Sequence, residues 1–324
     1  MRAMLLDQDL TLRVGDRPDV EPGPGDVVVE VAWTGVCGSD LHVVATGDWV
    51  EYWPATLGHE VAGTVVESRA DVAVGTRVVL DSRIPCGTCD GCSRAARLCT
   101  AMAWLGERIP GGYADRLTVP AASVHEVPAG LDLAVAVLAE PVAVVASAVD
   151  RIRDVPRSVL LLGHGPIGAF AHAEFSRRWP GVPVTVVEPR AVRAELARSH
   201  GADTLAGLPA DGSFDLVVDA AGYPGSLPDA VSRTASGGTT LLVALSKEPA
   251  GLVPADVVER SVTITGSVGF DTAHLPRALA ALAADPDRYA SVVTHRVPLQ
   301  ELPEFLTQQR HRTAGKVIVE GGRP

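Results

Sequence analysis

The stretch SVLLLGHGPIGAF at 158–170 constrains the fold more than any other part of the chain. A continuous apolar run ends at Leu162, Gly163-x-Gly165-x-x-Gly168 follows at once, and a helical pattern continues over 166–178. In such a loop the glycines have separate tasks: a tight turn, close approach of backbone to a pyrophosphate, and close packing of helix on strand. The helix N-terminus then offers unpaired N–H groups to phosphates. The pattern predicts a dinucleotide-binding βαβ unit, with Gly163, Gly165, Pro166, Ile167 and Gly168 against the cofactor. A second strand then ends at Glu188. A carboxylate there can accept hydrogen bonds from both ribose hydroxyls and repel a 2′-phosphate, so NAD is expected over NADP. Arg190 and Arg193 keep NADP open, and Arg193 is counted with the cofactor residues. A nucleotide-free α/β domain is the plainer alternative. His164, inside the loop, reads as a spacer on the cofactor side.

Strand and helix alternate around this loop. Strands are expected at 158–162, 182–187, 214–219, 239–244 and 262–266, and helices at 166–178, 191–200 and 225–236. Alternation of this kind implies an α/β fold, a Rossmann doubly wound parallel sheet with helices on both faces. The preceding third reads differently. Short strands at 27–33, 61–68, 76–81, 111–119 and 123–127, separated by Pro/Gly turns, suggest a barrel-like all-β unit. Asp132 can cap a buried helix over 133–149. The tail, with helices at 273–284 and 299–310 and a strand at 316–319, has no nucleotide motif and can return to the first unit. A length of 324 residues suggests about two domains.

Within the β-rich part, LGHEVAGTVVE puts His59 and Glu60 side by side at the mouth of a strand, and GVCGSDLH places Cys37 upstream. A thiolate, an imidazole and a carboxylate form a zinc set of the catalytic kind, in which one position stays open. Alone, the His-Glu pair reads as an ordinary surface pair. The other four cysteines, Cys86, Cys89, Cys92 and Cys99, lie within fourteen residues. Four thiolates at this spacing can close a tetrahedron around zinc and leave no position for substrate, which makes a structural site. A zinc ribbon for nucleic acid is the rival reading, but a formal charge of −11 opposes it. No apolar run approaches the roughly 18 residues of a membrane span. The first ten residues contain acids and no signal-peptide core, so a cytoplasmic protein is expected.

Taken together, Cys37-Gly38-Ser39-Asp40, Gly58-His59-Glu60, the four-cysteine lobe, Glu140-Pro141-Val142-Ala143 and the glycine loop resemble the zinc-dependent medium-chain alcohol dehydrogenases, in the family's order and over essentially the whole chain. Glu140-Pro141 and Glu188-Pro189 resemble the polyol (sorbitol) and threonine dehydrogenase branch. The resemblance implies a GroES-like catalytic domain at 1–141 with a structural zinc lobe at 86–99. An NAD-binding Rossmann domain at 142–272 and a return to the catalytic domain at 273–324 complete it. It also implies catalytic zinc at Cys37 and His59, with Glu60 or Glu140 as the carboxylate and the choice left open. Ser39 would contact the substrate oxygen and His42 would relay the proton. Asp40 reads as structural. Trp49, Tyr52 and Trp53 read equally as pocket wall or as lid. Two departures stand out: six residues separate Cys92 from Cys99 where the family usually has seven, and the chain is short for the family.

The chemistry expected follows from these parts. Hydride leaves an alcohol carbon only if its oxygen becomes alkoxide-like, and zinc lowers the pKa of a bound water from 15.7 to roughly 7. The expected reaction is hydride transfer between NAD and a secondary alcohol: a polyol, an amino-polyol or cyclitol, or a hydroxy-amino acid. An NADP-dependent reductase of a biosynthetic intermediate is the alternative within the family. A silent binding member and a zinc-free quinone reductase are alternatives outside it. A small-molecule substrate and a dimer or tetramer, with no nucleic acid and no membrane, complete the expectation.

Overall fold

Strand Val159–Leu162 is buried at every position, as a run of Val and Leu requires in a parallel sheet covered on both faces. The computed structural model describes residues 1–247 and 249–321. It divides into two compact units, one of Met1–Glu140 with the chain from Asp271 onward, the other Pro141–Phe270.

The second unit is built on six parallel strands. Their spatial order is Asp203–Leu205, Val184–Val187, Val159–Leu162, Phe214–Asp219, Thr234–Leu242 and Thr263–Gly266. In chain order that is 3-2-1-4-5-6, the dinucleotide-binding arrangement, whose strand order reverses beside the first strand. Helix Pro166–Arg178 follows that first strand directly. Leu160, Leu162, Val187 and Val217 of the sheet form a core with Ala230 of helix Ser226–Arg233.

The first unit carries a seven-stranded sheet. Along it run Val293–Pro298, Lys316–Glu320, Asp26–Gly35, Glu60–Ser68, Arg77–Leu80 and Val124–Glu126, while Arg116–Pro120 also pairs with Asp26–Gly35. Strand Asp26–Gly35 alternates, with Val27, Val29 and Val31 turned into a core of Val61, Val65, Val78 and Leu117. The strand from the tail, Lys316–Glu320, pairs antiparallel with the far end of this strand: Ile318 faces Gly35 and Glu320 faces Trp33. That pairing brings residue 316 beside the segment leading to Cys37.

Three expectations fail in detail. The helix expected over 133–149 is two, Leu133–Ala136 and Ala139–Val149. Pro141 has no N–H for the Val137 carbonyl and its ring crowds that oxygen, so the chain must restart there. Asp132 does cap the first piece, accepting from Ala134 N–H at 2.8 Å. The helix expected over 225–236 ends at Arg233, and a strand begins at Thr234, because Ser236-Gly237-Gly238 has poor helix propensity. The tail helix shrinks to Leu302–Thr307, with Gln309 left-handed at φ 55° just beyond it. The N-terminal hairpin Arg2–Leu6/Leu12–Asp16 was not anticipated. Among the described residues no helix is long and apolar enough to cross a membrane.

Candidate functional site

Helix Gly38–Thr46 begins immediately after Cys37, which occupies its N-cap position. Asp40, in the first turn, accepts from Cys37 N–H at 2.9 Å and from the Tyr113 hydroxyl at 2.9 Å. Its other oxygen stands 3.5 Å from His59 Nδ1. Asp40 is thus more than structural: it orients the imidazole, as carboxylates do for metal-binding histidines. Ser39 takes no part in capping. One turn along the same face, His42 Nε2 lies 3.0 Å from Asp48 and its ring packs 4.5 Å from Trp49. Tyr52 and Trp53 pack against the core of this unit, and the Tyr52 hydroxyl donates to Thr56 O at 3.0 Å.

One ligand atom each from Cys37, His59 and Glu60 falls within a 4.8 Å set. The electrostatics of that set call for a cation. Burial alone would push the His59 pKa down, yet the Asp40 carboxylate and the Cys37 sulfur outweigh it and hold the value well above normal. Asp40 shows the converse: burial would raise it, but His59, Cys37 N–H and Tyr113 bring it below its usual range. A proton therefore sits where a metal could take its place. The donors and their spacing fit zinc.

Sequence reasoning missed Lys316. Its ammonium is buried, donates to Val36 O at 2.9 Å and holds both oxygens of Glu60, at 2.6 and 2.5 Å. Glu60 is therefore a neutralised carboxylate with its charge already matched. Glu140 is buried outside the 4.8 Å set. Burial pushes its carboxyl up to about 7, with His59 and Lys316 opposing and Glu60 and Asp81 reinforcing. A metal-bound Glu140 must first lose that proton. Zinc affinity of the metal-free protein is accordingly expected to rise about tenfold per pH unit for each proton displaced below pH 7. Titration calorimetry at several pH values should show Glu140→Gln lowering that slope by one proton; an unchanged slope would show that Glu140 stays protonated throughout.

The cysteine lobe is a second donor set. Sulfur–sulfur distances are 3.9 Å for Cys86–Cys92, 3.6 Å for Cys89–Cys92, 3.9 Å for Cys89–Cys99 and 3.5 Å for Cys86–Cys99. A tetrahedron with 2.3 Å zinc–sulfur bonds has edges of about 3.8 Å. Six intervening residues are thus enough to close it. N–H groups of Thr100 and Cys92 draw Cys89 down to about 5, while burial and the neighbouring sulfurs push Cys92 up to about 12. Sulfurs this close compete for charge, and a cation between them would let all four bind as thiolates.

In the second unit, a Cβ on Gly168 would lie 2.2 Å from Gly163 O, and Gly163 has φ +87°. Neither position accepts a side chain. Gly165, by contrast, faces open space apart from Arg193, 3.4 Å from where a Cβ would be. Pro166 opens the helix and Ile167 follows it. Glu188 is buried and accepts from His164 N–H at 3.0 Å and from Arg190 N–H at 2.9 Å, with the Arg190 guanidinium 3.7 Å away. It therefore pins the glycine loop as well as offering a carboxylate. His164 is buried too, and burial pushes its imidazole down to about 4, so it stays neutral and suits a spacer.

Known proteins share this build. Residues 23–129 match the model of the alcohol dehydrogenase GroES-like domain, and residues 133–320 match that of the glucose dehydrogenase C-terminus. An L-threonine 3-dehydrogenase of Streptomyces avermitilis is 31% identical over 94% of each chain. A D-altritol 5-dehydrogenase of Agrobacterium fabrum is 30% identical over 91% of this chain and 92% of its own. An alcohol dehydrogenase of E. coli CFT073, solved with NADH, is 25% identical, with a TM-score of 0.89 over 99% of both chains.

Proposed function

Because the chain belongs to the zinc-dependent medium-chain alcohol dehydrogenase family, and is thus an oxidoreductase of secondary alcohols, we propose that it transfers hydride between NAD and a polyol, amino-polyol or hydroxy-amino acid at Cys37, His59, Glu60 and Glu140. The observation that carries the assignment is the Cys37–His59–Glu60 set closed to within 4.8 Å beside a buried Lys316. Zinc held there would supply Lewis acidity, and the dinucleotide the hydride acceptor.

The chain's own residues do the rest. Cys37 and His59 hold the metal, and Asp40 fixes the imidazole so that one nitrogen faces it. Lys316 cancels the Glu60 charge, so that Glu140 can add its own without making the site strongly anionic. Ser39, outside the capping network and one turn from His42 on helix Gly38–Thr46, would take the alcohol proton, and His42 with Asp48 would pass it to solvent. Cys86, Cys89, Cys92 and Cys99 would hold structural zinc. Gly163, Gly165, Pro166, Ile167, Gly168 and Arg193 would cradle the pyrophosphate, and Glu188 the ribose.

Glu188 supports NAD over NADP, while solved relatives carry either cofactor. Glu188→Gln is expected to raise the NADP/NAD ratio of kcat/KM roughly 10- to 100-fold while lowering NAD activity, since repulsion of the 2′-phosphate disappears. Steady-state kinetics with both cofactors and a panel of polyols, aminocyclitols and threonine checks this and the substrate class together. A parent enzyme that already prefers NADP would overturn the cofactor assignment. Strand Thr263–Gly266 is the edge of its sheet, which supports a dimer formed by sheet extension.

A further inference from the structure

One acid beside the Cys37–His59 pair has no role in the reaction above. The loop 104–113 is tied by main chain to the residues that lead into His59: Gly111 N–H donates to Thr56 O at 2.7 Å, Gly112 to Gly58 O at 2.7 Å, and Tyr113 to Leu57 O at 3.0 Å. A Cβ on Gly106 would stand 3.2 Å from Gly58 N, and Gly106 has φ +86°, so the loop closes directly onto the backbone next to His59. Glu107 follows. Its N–H donates to Trp104 O at 3.2 Å and its carbonyl accepts from Glu51 N–H at 3.1 Å. Two loops therefore fix its backbone.

The Glu107 carboxyl is half-buried, and among the described residues it makes no hydrogen bond and no ion pair. The cation next to it, Arg108, is turned to Glu51 at 2.7 Å. Burial raises the Glu107 pKa; His59 and Arg108 oppose, and Asp40 and Glu51 reinforce. The carboxyl thus lies within electrostatic reach of the His59–Asp40 pair. Half-buried and still reached by water, the carboxylate can exchange that water for a donor carried by a substrate. The cations of this region are already engaged, Lys316 by Glu60 and Arg108 by Glu51.

We propose that Glu107 sets substrate specificity: its carboxylate receives a hydrogen-bond donor, hydroxyl or ammonium, carried beside the reacting carbinol, and disfavours alcohols with a carboxylate or phosphate in that place. The proposal rests on the secondary-alcohol reading given above. It selects polyols and amino alcohols and ranks hydroxy acids low.

The test compares 2,3-butanediol, 1-amino-2-propanol, 2-butanol and 3-hydroxybutyrate with zinc-loaded parent, Glu107→Gln and Glu107→Leu. The readout is each substrate's kcat/KM relative to that of 2-butanol, which a merely structural defect would not move. The parent is expected to favour the diol or the amino alcohol by roughly 10- to 100-fold, and Glu107→Leu to erase that preference. Glu107→Gln separates the two donors: a diol preference survives the amide, whereas an ammonium preference is lost with the charge. In both variants 3-hydroxybutyrate gains relative to 2-butanol. Equal treatment of diol, amino alcohol and 2-butanol by the parent overturns the proposal alone, as does a preference that survives in Glu107→Leu. A parent that oxidises none of the alcohols overturns the reading of the site and this proposal with it.

Discussion

Replacing Cys37 with Ala is expected to remove one of two zinc equivalents, those of the two donor sets in the first unit, and to lower kcat/KM by at least about a thousandfold. Of the Cys37–His59–Glu60 set, His59 is already paired with Asp40 and Glu60 with Lys316, and Lewis-acid stabilisation of a developing alkoxide is worth several kcal/mol, or about a factor of ten per 1.4 kcal/mol. The fold should survive, because Cys37 sits at a half-exposed helix N-terminus and Ala is tolerated there at a cost of order 1 kcal/mol. Metal analysis gives the answer independently of activity. Two zinc per chain in Cys37→Ala would remove Cys37 from the site. Loss of both would show that the two centres are not independent.

Lys316→Met should destabilise the protein by about 3–5 kcal/mol, the usual consequence of leaving one member of a buried ion pair uncompensated. For a unit of this size that corresponds to a fall in melting temperature on the order of 10 °C. Both partners are almost fully buried, Lys316 at 1% and Glu60 at 1%, so solvent cannot take over the orphaned carboxylate. Glu60→Gln combined with Lys316→Met should recover much of the loss, since an apolar chain beside an amide leaves no unpaired charge. Thermal melts of the parent, both single variants and the double variant give the coupling energy. A coupling near zero would mean that the pair is not what holds the tail strand beside Glu60.

Much of the candidate site was readable because its parts are local. Cys37 to His42 lie on one turn and a half of helix, His59 and Glu60 are neighbours, and Gly163 to Gly168 form one loop. Each announces itself by spacing. Lys316 announced nothing. It reaches its partners across 256 and 280 residues, and a lone lysine before a β-rich run reads as a solvated strand end. Only the antiparallel pairing of the tail strand with Asp26–Gly35 reveals where the ammonium goes. Glu107 was hidden for a similar reason: the loop that places it beside His59 is held by main-chain hydrogen bonds, which no side chain encodes. Asp40 could have been assigned from sequence, because an acid three residues into a helix that starts at a ligand faces back toward that ligand. In the fold, the expected elements were misplaced where a local rule yielded to a stronger one. Pro141 split a continuous apolar pattern, and pairing of Thr234 with Phe214 extended a strand into residues that had been read as helix.

The tail strand has one more consequence, for synthesis. The second unit is continuous in sequence, Pro141–Phe270, whereas the first is interrupted by it. During translation, the ligand-bearing sheet waits for residues 316–320 before strand Asp26–Gly35 gains that neighbour and Glu60 its counter-charge. The Rossmann unit can therefore settle on the ribosome while the metal-binding half is still open at one edge. An unpaired strand edge is then a hazard of the nascent chain that residues 316–320 remove.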